Sequence, residues 1–167
     1  KDKKPLHRSP LYPWISLKKA VDRSRVLLEK EGRHAVRFSV ASPHWGFKVT
    51  SSGAMQTLAA LRQYGLVNVG EGIAENRMIQ LTERAIRILL DKREGERQKA
   101  LQEAALAPKL YLALWQKWDN ALPSDGNFES HLVVDLKFNQ TAVPAVIDGY
   151  KETLSYAGLL SGGMLSV

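Results

Sequence analysis

The chain contains no cysteine. That excludes disulfides, thiolate metal sites and cysteine nucleophiles, and it suits a reducing cytoplasm. No apolar run is long enough to span a bilayer. The opening residues are too basic and too rich in proline to read as a signal peptide. The histidines are His7, His34, His44 and His131, and no two have the spacing of metal ligands on one helix. There is no His-Glu-x-x-His, no P-loop and no dinucleotide fingerprint. Ser51-Ser52-Gly53 lacks the glycine that precedes the serine of a nucleophile elbow. Asp119, Asp125 and Glu129 could pair across a turn, but a solvated face explains them as well. The expectation is therefore a protein without catalytic residues, metal or cofactor.

What is present is a globular chain of 167 residues, 44% hydrophobic and 25% charged. That is enough for one medium domain or two small ones with a real core. The net charge is +7, and it is unevenly spread. Residues 1–50 hold 12 Lys and Arg against 4 Asp and Glu, whereas residues 101–167 hold 4 against 7. A basic front and an acidic rear suit a protein that meets a polyanion with one end. A solvated basic tail would give part of the same imbalance, because Lys1, Lys3, Lys4 and Arg8 lie among Pro5, Pro10 and Pro13.

The order of elements points to a fold. Residues 1–13 read as a basic flexible arm. Ser16 caps a helix over Leu17–Glu31 that ends at Gly32, with Leu17, Ala20, Val21, Ser24, Leu27 and Leu28 on one apolar stripe. Val36–Ser39 reads as a strand, Val40–Phe47 as a compact helical turn, and Lys48–Ser52 as a polar hinge. Gly53–Tyr64 is the next helix, with Ala54 or Met55 among its inward residues. Leu66–Val69 is a strand, Gly70–Asn76 a tip in which Gly70 and Gly72 supply positive φ, and Arg77–Leu81 the return strand. Thr82 caps a further helix with Ala85, Ile86, Leu89 and Leu90 on its apolar side. The polar run from Asp91 to Gln98 is the best candidate for a domain boundary. Helices near Arg97–Leu106, from Pro108, over Phe128–Leu136 and from Asn139 to Ala157 follow, then a loose tail from Ser161. The expected architecture is mainly α: a winged helix-turn-helix with a small β-hairpin wing over residues 14–93, then a helical C-terminal module over 94–160. That module is either a plain bundle or a degenerate second helix-turn-helix.

On this frame the Gly53–Tyr64 helix would enter the major groove of double-stranded DNA. Ser51, Ser52, Gln56 and Thr57 at its start would meet bases or phosphates, with Arg62 further along. Lys48, Arg77, Lys18 and Lys19 are phosphate candidates, and Lys3, Lys4 and Arg8 in the arm are too. Two features oppose this reading. Gly53, Ala54, Ala59 and Ala60 make the helix smooth, as at a protein interface, and Glu71 and Glu75 make the wing tip acidic. The tryptophans Trp45, Trp115 and Trp118 are assigned to the core, with Trp14 beside the arm.

With these residues placed, Ile15–Leu90 resembles the winged helix-turn-helix superfamily of prokaryotic DNA-binding proteins. The resemblance rests on Trp45-Gly46-Phe47, Ser51-Ser52-Gly53 with Thr57 to Leu61, Tyr64-Gly65-Leu66 and Leu81-Thr82-Glu83. It implies DNA contacts at Ser52, Gln56, Thr57 and Arg77. The whole chain is also similar to a bacterial and archaeal domain family of unknown function, through Ser51–Leu66, Leu122-Pro123-Ser124-Asp125 and Tyr150–Leu159. That second resemblance implies no activity. The expectation is a non-catalytic, regulatory, cytoplasmic DNA-binding protein associated with the nucleoid, with homodimer or partner contacts through the C-terminal helices. The alternative is a winged-helix protein-interaction module without DNA binding.

Overall fold

The computed structural model describes residues 9–161 together with 164 and 165. Lys3, Lys4 and Arg8 lie outside the described residues. The chain is mainly helical with a small three-stranded antiparallel sheet. Helix α1 spans Leu17–Glu31, capped by Ser16 Oγ, which accepts the Lys19 N–H, and stopped at Gly32. Its buried residues are Leu17, Ala20, Val21, Ser24 and Leu27. Strand β1 is only Val36–Arg37, and α2 is Phe38–His44. The strand was expected to continue to Ser39. Burying Phe38, Ala41 and Ser42 together demands the three- and four-residue spacing of a helix. The Phe38 N–H makes one last cross-chain bond, to the Arg77 carbonyl. Val40 falls on the outer side of α2 and is exposed, not buried as its apolar character suggests.

Helix α3 is Ser52–Gln63, followed by β2 at Val67–Val69, β3 at Met78–Leu81 and α4 at Glu83–Leu90. The α3 end is a Schellman turn: Leu66 N–H bonds to Leu61 O and Gly65, at φ 73°, bonds to Arg62 O. The sheet order is β1-β3-β2, with Val36 opposite Ile79 and Val67 opposite Leu81. A 3₁₀ turn at Ala74–Asn76 forms the tip of the β2–β3 hairpin. Positive φ there comes from Gly72 (105°) and Ala74 (51°), not from Gly70, whose N–H instead extends the ladder to Met78 O. A side chain at Gly72 would strike the Asn76 backbone.

Helix α5 (Glu94–Ala105), α6 (Lys109–Lys117), α7 (Asp125–Ser130) with a π turn at His131–Asp135, and α8 (Val143–Tyr156) complete the helical part. Pro108 caps α6 from outside the helix, and Ser124 Oγ caps α7. A short antiparallel pair, β4 (Leu160–Ser161) with β5 (Met164–Leu165), lies where a loose tail was expected.

One cluster of buried side chains runs through both expected segments. Helix α1 packs on α3, α4 and α8, and α4 packs on α5. Tyr64, fully buried, donates to Ile15 O at 2.8 Å and lies 3.4 Å from Thr153 Oγ1 on α8. Thr153 Oγ1 also accepts the first amide of α1, Leu17 N–H, at 3.2 Å. Residues 9–13, expected in the flexible arm, are fastened to the helical part. Ser9 Oγ accepts Asn139 N–H, and the buried Tyr12 ring packs on Phe138 at 5.8 Å between centroids.

Candidate nucleic-acid interface

The solvent-facing side of α3 is a single stripe. Ser52, Met55, Ala59 and Arg62 are exposed, a spacing of three, four and three residues along one helical face. Gln56 and Gln63 are half-buried at its margin. Of the side chains assigned to this surface from sequence, Ser52 and Arg62 lie on it and Gln56 flanks it.

Two others do not. Thr57 is 1% exposed, and its hydroxyl accepts a hydrogen bond from Arg23 Nη1 of α1 at 2.5 Å. It belongs to the seam between α1 and α3, because the apolar stripe Ala54, Leu58 and Leu61 turns it inward. Ser51 is the N-cap: its Oγ accepts Ala54 N–H at 3.1 Å, so the hydroxyl is engaged in closing the helix. The small residues have the same inward logic. Ala54 and Ala60 are fully buried, and Gly53 leaves room for the Phe47 ring, which a methyl group there would strike. Only Ala59 exposes its small side chain. Met55, a candidate for the inner side, is 45% exposed instead.

The cations divide into braced and open ones. Arg77, at the base of the wing, is half-buried. Its Nε donates to Ala74 O at 2.9 Å, its guanidinium lies 5.4 Å from the Phe38 ring centroid, and Nη2 reaches Met55 Sδ at 3.8 Å. It therefore ties the hairpin to α2 and α3. Arg23 similarly sits over Phe47 at 5.1 Å. Lys48 in the hinge and Arg62 are exposed. Lys18 is exposed but pairs with Asp22 at 3.3 Å, one turn along α1. Lys19 opens into a different region, a groove shared with Asp148 and Glu152 of α8. Those carboxylates would repel a phosphate. Arg37, which lies opposite Met78 across β1 and β3, is exposed and was not singled out from sequence. The two-residue strand that presents it carries too short an alternation to read. The wing tip is exposed and carries Glu71, Ile73 and Glu75.

Among the described residues, no helix is long and apolar enough to cross a membrane. Nor do three or more His, Asp or Glu side chains gather in a way that could hold a metal ion. No protein-family model, curated protein or solved structure matches this chain.

Proposed function

We propose that this chain is a non-catalytic DNA-binding protein built on a winged helix-turn-helix. Helix α3 is its recognition helix and the β2–β3 hairpin its wing. The observation that carries the reading is the continuous open stripe of α3, from the helix start at Ser52 to Arg62, with Lys48 exposed in the hinge before it. The positive end of a helix and a nearby ammonium suit phosphate. Ser52 and Gln56 carry groups for base edges, while Met55 and Ala59 offer apolar surface of the kind that meets a thymine methyl. Arg37 and Arg77 supply charge at the wing base, and the basic first third of the sequence adds long-range attraction. In this reading the role is regulatory, in the cytoplasm at the nucleoid, and the C-terminal helices serve dimerisation or partner contact.

A fluorescence-anisotropy titration with mixed-sequence duplex tests it. Replacing both Lys48 and Arg62 with alanine should weaken binding about equally for all sequences, and each lost phosphate contact should lower the salt slope by about 1. Unchanged affinity in the double variant would remove α3 from the interface. A second reading has its own observation: Val40, Met55 and Ile73 are 42%, 45% and 82% exposed. Apolar groups so open favour a protein partner over a phosphate backbone. Absence of duplex binding at low salt would favour that reading.

A further inference from the structure

A second surface lies away from the open stripe of α3, where the segment before α1 runs along α8. The two enclose a groove of about 820 Å³. One wall is aromatic: Tyr12 and Trp14 stack at 5.9 Å between centroids with planes 23° apart, and Trp14 is 62% exposed. Leu11, 74% exposed, extends that wall. The other wall carries Asp148 and Glu152, one turn apart on α8 and both exposed. Among the described residues neither carboxylate has a salt-bridge partner, and the only cation lining the groove is Lys19. Unpaired carboxylates facing an open indole are complementary to a cation that also carries apolar surface. A guanidinium satisfies both, since it stacks on an aromatic face and pairs with carboxylates in a planar fork.

We propose that this groove docks a segment of a protein partner in which arginine alternates with aliphatic residues. Asp148 and Glu152 take the guanidinium groups, and Leu11 and Trp14, backed by the buried Tyr12 ring, take the apolar side chains. The protein as a whole carries +7, so it repels a cationic peptide except where carboxylates concentrate. Other carboxylates lie in the wing tip and the acidic rear, so it is loss of binding on changing Asp148 and Glu152 that assigns the peptide to this groove. Peptide binding is also independent of duplex binding, which uses the opposite sign of charge.

The probe is a short fluorescent peptide alternating arginine and leucine, titrated against the full chain. A matching glutamate–leucine peptide is the control. The arginine peptide should bind and the glutamate peptide should not. Substituting Asp148→Asn together with Glu152→Gln should weaken binding roughly two- to thirtyfold, the effect of two exposed charge pairs. These positions are exposed, so the double variant should retain the wild-type melting curve. Equal binding of both peptides, or unchanged affinity in the double variant, would overturn the proposal. So would binding that appears only after removal of residues 1–8, which would make the chain's own arm the occupant. A dimer in light scattering that the double variant abolishes would place a second copy there and overturn it equally.

Discussion

Thr57 shows how one residue can change roles without changing chemistry. A threonine near a helix start looks like a phosphate or base contact, yet here its hydroxyl receives Arg23 from the neighbouring helix and is closed to solvent. Thr57→Val should therefore lower stability by about 1 kcal/mol, the loss of a part-buried hydrogen bond, as measured by urea denaturation. Duplex affinity should not change. Loss of affinity at unchanged stability would contradict the assignment. The sequence could not separate these roles, because the partner lies 34 residues away. Ser16 and Thr82 were more legible: each caps a helix through its own hydroxyl, a contact fixed three residues along the chain. The smoothness of α3 was legible as composition but not as cause. Its alanines serve packing at Ala54 and Ala60, and Gly53 serves the Phe47 ring.

At the scale of elements, α1, α3 and the hairpin were readable because period and stop signals agreed. The short pieces were not. In β1 and α2 two residues of strand pass directly into helix, and only the burial of Phe38 decides where. The joint between α4 and α5 is another local device. Asp91 accepts from the Arg93 guanidinium at 2.9 and 2.8 Å and from the Arg93 N–H at 2.9 Å, and Arg87 approaches at 3.5 Å. Those Arg93 hydrogen bonds hold its carboxyl down at about 2, below its ordinary value of 3.8. A lowered folded-state value means that the joint stabilises the fold above about pH 4, and that this contribution is lost as the pH falls toward 2. Asp91→Asn should lower the melting temperature at neutral pH, and the gap to the parent chain should close as the pH approaches 2. A gap that stays constant across that range would show that ionisation of Asp91 is not what holds α4 to α5.

At the scale of the whole molecule, the polar run after Leu90 looked like a boundary because it lacks an apolar stripe. Buried side chains from both sides of it belong to one cluster. Tyr64 from the first segment, Ile15 before α1 and Thr153 from the last helix meet in one buried knot. Contacts across 89 and 136 residues leave no local pattern to read. Gln98 donating to Ala157 O ties α5 to the end of α8 within the helical part. The buried knot holds the helical part against the back of α1 and leaves the α3 stripe open. On the proposed reading this open stripe, and not the arm alone, carries duplex binding. The most direct measurement compares the full chain with a chain lacking residues 1–8, by anisotropy with mixed-sequence duplex between about 50 and 200 mM salt. Both should bind at low salt, with affinity falling steeply as salt rises and the shorter chain showing the smaller slope. Loss of all affinity on removing residues 1–8, or no binding by either chain at low salt, would show that the α3 stripe does not carry duplex binding.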